Sequence, residues 1–247
     1  MEGLVLRLID YGESDQIAHL FLKKEGILSA IAKGIKKSKH RFPHHLEPFR
    51  IYSFKLRKKP SHDLYWIQTA DQVASFEEIM NDIRKIAFGN VIFEMVMKGV
   101  REGHPHPELY NFIISLFQAL EVTDDLFPLR FYAEIHTLRL LGFLPNFETC
   151  LRCRKPLQKE EGNCFDPIKG GIICPRCQGL AYKRGTIIGS EALGALQFLK
   201  KSPLHVVSRL RITENAKNTI EAFLTEFITY HLERPIKSLS FLKEVMR

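Results

Sequence analysis

Two closely spaced cysteine pairs constrain the fold of this 247-residue chain more than any other feature. Each pair has the spacing Cys-x2-Cys, and twenty residues separate the pairs, which are Cys150 with Cys153 and Cys174 with Cys177. Four thiolates are a preferred tetrahedral ligand set of structural zinc, and this gap lies at the upper edge of zinc-ribbon spacing. We therefore expect one structural Zn²⁺ bound by all four, with unligated thiols or a redox pair as the alternative.

Four sulfur ligands leave no open coordination position for a water molecule, so the expected metal is structural and not catalytic. Cys164 lies between the two pairs and is interpreted as a packed core cysteine, with an alternative-ligand role as the second interpretation. All five cysteines fall between positions 150 and 177, which does not resemble the disulfide framework of a secreted protein.

The charge is distributed unevenly along the chain. The formal net charge is +8, but residues 1–60 carry 13 basic and 6 acidic side chains, whereas residues 61–149 carry 6 and 13. Residues 150–184 carry 8 basic and 3 acidic side chains. A local basic excess of this kind predicts a polyanionic partner. Nucleic acid is the first candidate, an acidic protein tail the second and a membrane surface a distant third.

The first 75 residues alternate between short apolar runs and turn-forming residues. The runs cover residues 4–9, 17–22, 27–31, 49–56 and 64–69, with Gly, Pro, Asp or Ser between them. Five short strands in so few residues predict a small barrel, and the basic surface favours an OB-fold that binds nucleic acid. We therefore assign residues 1–75 to an OB-fold.

From position 76 the apolar residues recur at intervals of three and four, which is typical of helices. Further helix starts are expected at Pro107, near Pro128, at Ser190 and at Thr213, with Gly142 ending the third helix. The expected class is α+β, a five-stranded barrel followed by a helical domain. Its helical parts would be residues 76–149 and 185–247, with a zinc module at residues 150–184 between them.

The basic stretch after the third predicted strand is the main candidate for phosphate contacts, since lysines and arginines track a nucleic-acid backbone. A second basic cluster follows the fourth strand and could extend the path. The candidate DNA-binding residues are Lys33, Lys36, Lys37, Lys39, Arg41, Arg57, Lys58 and Lys59. The alternative is an exposed, solvated loop. Phe42, Tyr65 and Trp66 are candidates for base stacking, although each has core packing as its simpler interpretation.

Catalytic motifs are not found in the sequence: it has no GxxxxGK[ST] loop, no HExxH and no GxSxG. We therefore expect a protein that is not an enzyme. No apolar run approaches the ~20 residues of a membrane span. The early acids, without a basic segment before an apolar one, argue against a signal peptide. We expect a soluble cytosolic protein with no membrane partner.

Several segments in order resemble the RecO family of bacterial recombination and repair proteins. These segments are GLVLR at 3–7, DYGESD at 10–15, GILSAIAKG at 26–34, SKHRF at 38–42, LEPF at 46–49, RF at 130–131, LLGFLP at 140–145, GG at 170–171 and the four paired cysteines. The resemblance spans roughly residues 3–180, and its specificity lies in the order and spacing of the pieces.

The resemblance implies an N-terminal OB-fold, a helical domain and a four-cysteine zinc module. It implies binding to single- and double-stranded DNA, annealing of complementary strands and a location in the bacterial cytoplasm at the nucleoid. The implied partners are RecR, the acidic C-terminal tail of single-stranded-DNA-binding protein and, indirectly, RecA, which such proteins help load onto coated DNA. Two other functions stay open from the residues: a zinc-containing RNA-binding or translation-associated protein, and a zinc-dependent nucleic-acid enzyme.

Overall fold

The computed structural model of the chain describes residues 1–37, 45–58, 64–158, 162–178 and 185–246. The chain forms two compact units, Met1–Val122 with Phe241–Arg247, and Thr123–Ser240. The boundary after Val122 falls inside residues 76–149, which the sequence analysis treats as one helical segment. The predicted division of the chain into residues 1–75, 76–149, 150–184 and 185–247 stays a prediction.

The first unit begins with a closed five-stranded barrel, which confirms the predicted fold class. Its strands are β1 (Glu2–Tyr11), β2 (Asp15–Leu22), β3 (Gly26–Ala32), β4 (Arg50–Lys58) and β5 (Tyr65–Ser75). The strand order is β1-β2-β3-β5-β4, and β4 pairs back onto β1 to close the barrel. β3 and β5 run parallel, and all other neighbouring strands run antiparallel.

Alternating side chains fill the barrel, as the period of two requires. On β4, Tyr52 and Phe54 are buried, whereas Ser53 and Lys55 between and beyond them are exposed. The register of the β4–β5 pairing shifts near Ile51 and near Leu56. Bulges of this kind bend a strand and increase its twist, which helps a small barrel to close. β5 continues to Ser75, six residues beyond the predicted apolar run.

Helices follow the barrel in the first unit: α1 (Glu77–Met80), α2 (Ile83–Gly99) and α3 (Pro107–Glu121). The helical period from position 76 is interrupted because Asp82 adopts an extended conformation. Its carboxylate accepts a hydrogen bond from the Arg84 amide at 2.8 Å and begins a new helix. Pro107 occupies the first turn of α3, as predicted.

The second unit contains α4 (Leu126–Leu140), α6 (Ser190–Lys201), a 3-10 helix (Leu204–Arg209) and α7 (Glu214–His231). The predicted helix starts at Ser190 and Thr213 are confirmed, and the Thr213 hydroxyl accepts from the Ala216 amide as a cap. α4 begins two residues before the predicted Pro128, and Gly142 just beyond its end has a φ of +89°. α8 (Lys237–Val245) follows, and the sequence reasoning did not predict it.

Short strands in the second unit also escaped prediction: β6 (Asn163–Asp166), β7 (Gly171–Ile173) and β8 (Ile187–Ile188). They form a sheet in the order β7-β6-β8, and a one-turn helix, α5 (Pro175–Gln178), follows β7. Segments of two to four residues are too short to show a period, so the sequence could not reveal them. This sheet supports the second cysteine pair.

Candidate metal centre and nucleic-acid surface

The small sheet and its flanking turns bring the two cysteine pairs together. The Leu151 amide donates to the Ile172 carbonyl at 2.8 Å, which fixes the first pair against β7. Within the pairs, the Arg154 amide donates to the Cys150 carbonyl at 3.0 Å and the Cys177 amide to the Cys174 carbonyl at 2.9 Å. Both pairs therefore form tight knuckles of the kind that present two sulfurs to one ion.

The four sulfurs lie within 4.8 Å of one another, and the Sγ atoms of Cys153 and Cys174 are 4.0 Å apart. Sulfurs around a tetrahedral zinc with ~2.3 Å bonds are about 3.8 Å apart. The cluster consists of Cys150, Cys153, Cys174 and Cys177, the set that the spacing predicts. These four cysteines could hold a metal ion, and their chemistry fits a thiophilic one.

Hydrogen bonds within the cluster shift the pKa values of the Cys150 and Cys177 thiols in opposite directions. Burial raises the pKa of the Cys150 thiol, but the amides of Cys174 and Arg152, each 3.4 Å from its sulfur, help to lower that pKa to about 6. The hydrogen bond between the sulfurs of Cys177 and Cys174 raises the pKa of Cys177 to about 12. A divalent cation removes this asymmetry because all four ligands bind as thiolates.

Cys164 is not part of the cluster. It lies in β6 with 1% of its surface exposed and pairs with Ile173 in the sheet. Burial raises the pKa of its thiol, which keeps the sulfur protonated and poorly reactive. The interpretation of Cys164 as a packed core cysteine is confirmed.

The loop after β3 carries three candidate DNA-binding lysines and is fastened to the β1–β2 turn. Gly34 has a φ of +66°, and its amide donates to the Asp15 carboxylate at 2.8 Å. The Lys36 amide donates to the Ser14 carbonyl at 3.2 Å, and the Ile35 side chain is buried. The backbone at Gly34 and Lys36 is thus held against Ser14 and Asp15, while the side chains of Lys33, Lys36 and Lys37 are exposed.

The three lysines differ in their surroundings. The Lys33 ammonium lies 4.5 Å from the centre of the Trp66 ring, a cation–π contact. The Lys36 ammonium forms an ion pair with Asp10 at 2.9 Å. The Lys37 side chain is exposed and forms no ion pair with the part of the chain that the structure describes. Lys37 is therefore the most accessible of the three for an added phosphate.

The second basic cluster reaches the same end of the barrel through strand pairing. Arg57 on β4 pairs with Trp66 on β5, and Trp66 pairs in turn with Ile31 near the end of β3. Paired residues point to one face of a sheet, so Arg57 and Trp66 share the outer face of the barrel. The Lys58 ammonium lies 5.4 Å from the centre of the Tyr65 ring.

Lys33 and Arg57 lie beside Trp66, and Lys58 lies beside Tyr65, the residue before Trp66 on β5. We call these three cations and Trp66, together with the exposed Lys37 four positions after Lys33, the barrel surface. Lys39, Arg41, Lys59 and the candidate stacking residue Phe42 lie outside the described residues. The sequence reasoning missed Asp10, whose carboxylate holds Lys36. The hydrogen bond from Gln16 and the contact with Lys36 lower the pKa of Asp10. No sequence signal marks this pair, since their contact depends on the strand register.

None of the helices that the structure describes is long and apolar enough to cross a membrane.

The four-cysteine cluster and the barrel surface are the two chemically distinctive sites of the described chain. The cluster contains the four cysteines that the spacing predicts as metal ligands. The assignment of the barrel surface to DNA binding stays a prediction.

Comparisons with known proteins cover both units. The chain matches the family profile "Recombination protein O N terminal" over residues 1–76 and "Recombination protein O C terminal" over residues 80–240. It is 31% identical to the DNA repair protein RecO of Desulfatibacillum aliphaticivorans, covering 99% of this chain and 96% of the relative. It is 29% identical to the protein of the same name from Anaeromyxobacter dehalogenans strain 2CP-C, with the same coverage.

Proposed function

Because this chain belongs to the RecO family and so acts in DNA repair and recombination, we propose that it anneals complementary single strands of DNA. We propose further that it assists the loading of RecA onto DNA coated by single-stranded-DNA-binding protein. In this role it binds DNA and makes or breaks no covalent bond.

The observation that carries the proposal is the convergence of cations and an aromatic ring at one end of a closed barrel. Lys33 and Arg57 both lie beside Trp66, although the two cations are 24 positions apart in the sequence. Lysine and arginine side chains neutralise phosphates, and an indole face stacks on an unpaired base. Such a surface fits a single strand better than it fits a small ligand.

Annealing by this surface is electrostatic. Two complementary strands repel each other through their phosphates, and cations that neutralise some of these charges lower the repulsion that opposes their encounter. The phosphate contacts carry no base information, so strand pairing itself supplies the sequence selection. The sequence has no phosphate loop, so the proposal needs no nucleotide hydrolysis.

The cysteine cluster supports a structural role for one Zn²⁺. Cys150, Cys153, Cys174 and Cys177 would be its ligands, and the ion would cross-link the first knuckle to the segment after β7. The sheet around these knuckles has only two to four residues per strand, which is too little to be stable without added constraints. The metal would stabilise this part of the second unit.

The family resemblance supports three protein partners: RecR, the acidic tail of single-stranded-DNA-binding protein and, indirectly, RecA. The basic excess of the chain, +8 in total, suits an acidic peptide as well as DNA. A labelled peptide with the sequence of that tail should bind the wild-type chain and lose affinity as salt rises. A scrambled peptide of equal charge binding as tightly would remove the tail from the proposal.

The test of DNA binding compares two double variants by fluorescence anisotropy on labelled single-stranded DNA across salt concentrations. Lys37→Ala with Arg57→Ala removes two charges from the barrel surface. Lys23→Ala with Lys24→Ala removes two charges from the β2–β3 turn, at the other end of the strands. Each lost phosphate contact should flatten the log–log salt slope by ~0.7, so the first variant should lose about 1.4 units and the control little.

The annealing of two complementary labelled strands is then followed for the same proteins without ATP. The wild type and the turn variant should accelerate annealing, and the barrel-surface variant should do so less. Strict dependence on ATP, or equal salt slopes for all three proteins, would contradict the proposal. Tighter binding to RNA than to DNA in competition would favour the RNA-binding alternative.

A further inference from the structure

A second group of cations surrounds the cysteine cluster. Arg154 and Lys155 follow the first knuckle, and Arg176 lies inside the second; all three are exposed. Lys155 and Arg176 line a cavity of about 490 Å³ together with the four cysteines. We call Arg154, Lys155 and Arg176 the module surface.

Backbone contacts hold this surface in place. Arg154 has a φ of +61°, rare for a residue other than glycine, and its amide donates to the Cys150 carbonyl at 3.0 Å. The neighbouring Arg152 donates from its guanidinium to the Cys177 carbonyl at 2.6 Å, which ties the two knuckles together. The knuckle backbone is therefore held in place, with Lys155 and Arg176 on one cavity and Arg154 next to Lys155 in the chain.

No acid among the described residues neutralises the charge of the module surface. None of its three cations forms an ion pair with a residue that the structure describes. Between positions 150 and 178 the described carboxylate is that of Asp166, which is buried and accepts from the amides of Ile168 and Lys169 at 3.0 Å each. The Asp166 carboxylate thus stabilises the turn that follows it and forms no ion pair with Arg154, Lys155 or Arg176.

A simpler explanation is that these cations balance the metal centre. A zinc ion with four thiolates carries a net charge of −2. Arg152, Arg154, Lys155 and Arg176 carry four positive charges around it. Residues 150–184 as a whole carry 8 basic and 3 acidic side chains, so a positive excess remains after this balance. The cations that carry this excess are exposed to solvent. An arginine side chain can donate two parallel hydrogen bonds to the oxygens of one phosphate.

We propose that the module surface is a second binding site for the phosphate backbone of single-stranded DNA, separate from the barrel surface. This inference rests on the proposed DNA-annealing function and extends it. A chain with two phosphate-binding surfaces, one in each unit, can contact two strands or two parts of one strand. The cysteine module then has a binding role in addition to its structural one.

The test removes the three charges with Arg154→Asn, Lys155→Gln and Arg176→Gln in the full chain. Asparagine is chosen at position 154 because it tolerates a positive φ. A matched control, Lys169→Gln with Lys201→Gln and Arg209→Gln, removes three exposed charges elsewhere in the same unit. Zinc content and thermal unfolding are measured first, so that a loss of the fold is recognised.

Single-stranded DNA binding is then measured across salt in the Lys37→Ala/Arg57→Ala background, where the contribution of the barrel surface is reduced. We expect the module variant to lose about 2 units of salt slope, at ~0.7 per contact, and the control to keep its slope. Equal slopes and affinities for the module variant and its control would overturn the proposal. They would leave the proposed function intact, since that function is tested by the barrel-surface variant alone.

If the triple variant loses its zinc, the single charge reversal Lys155→Glu decides the question. The Lys155 backbone carbonyl accepts from the Cys150 amide at 2.9 Å, a contact that a side-chain change preserves. With zinc retained, weaker single-strand binding and slower annealing support the second site. Unchanged binding with zinc retained assigns the cations to charge balance and overturns the inference.

Discussion

The ring of Phe49 occupies the space that a side chain at Gly89 of α2 would need. A Cβ atom at position 89 would overlap the Cε1 atom of Phe49. Phe49 has a φ of +62°, a strained value for a bulky residue, and is 3% exposed. It stacks on Phe93 with ring centroids 5.0 Å apart and meets Phe117 edge-on at 5.5 Å. The turn before β4 is thus packed onto α2 and α3 through this side chain, in addition to the contact of Phe21 on β2 with Tyr110 on α3.

Replacing Gly89 by alanine should destabilise the chain by about 1–3 kcal/mol, the usual cost of overfilling a packed core. Alanine otherwise favours a helix over glycine by ~1 kcal/mol, so a stabilised variant would show that the ring moves freely. Urea unfolding of the wild type and Gly89→Ala measures the difference. Phe49→Leu in the same background should recover part of the loss, because it removes the overlapping ring atoms.

From the proposed zinc site we expect opposite outcomes for two cysteines of the same module. The purified protein should contain about one zinc per chain, and Cys174→Ser should lose it and unfold at a lower temperature. Cys164→Ser should retain the metal, since its sulfur lies in β6 outside the cluster. Elemental analysis and thermal unfolding of both variants check this. Zinc-free wild type, or equal metal loss in both variants, would show that the cluster is not the ligand set.

We expect the substitution Asp10→Asn to strengthen DNA binding. Its carboxylate holds the Lys36 ammonium at 2.9 Å, so Asp10→Asn should release that lysine to a phosphate. Affinity should rise and the salt slope for single-stranded DNA should steepen by ~0.7. Glu13→Gln, an exposed change in the same turn, removes an equal charge without releasing Lys36. The same gain in both variants would mean that net charge alone, and not the Lys36 contact, is responsible.

His136 predicts a pH dependence of folding. The residue is buried in α4, stacks on Tyr132 with ring centroids 4.0 Å apart, and its Nε2 lies 3.0 Å from the Leu199 carbonyl oxygen. Burial lowers its pKa, the Leu199 hydrogen bond partly offsets this, and the charge of Arg139 adds to the lowering. The unfolded chain therefore binds a proton near pH 6.5 that the folded chain binds only at lower pH.

Stability should consequently be fully present above pH 6.5 and should fall as the pH drops from there toward the folded-state pKa of His136. His136→Phe should reduce stability at pH 8, through the lost hydrogen bond, but should flatten the change between about pH 7.5 and pH 5. Urea midpoints at several pH values measure this. An equally steep pH dependence in the variant would assign the effect to other groups.

The sequence alone revealed the features that depend on neighbouring residues. The short apolar runs predicted five strands, Ser190 and Thr213 marked the starts of their helices, and the cysteine spacing identified the four cysteines that the structure brings together. The resemblance to the RecO family likewise rested on short segments in order along the chain. Each of these signals is contained in a window of a few residues, where backbone geometry and side-chain spacing determine the structure.

The tertiary structure decided the contacts between residues distant in sequence. The parallel pairing of Ile31 with Trp66 places Lys33 and Arg57 at one ring, and the loop after β3 brings Lys36 to Asp10. The fit of Phe49 against Gly89 joins residues on a turn and a helix. A one-residue change of strand register would turn every such side chain to the other face, and local periodicity does not specify the register between strands this far apart.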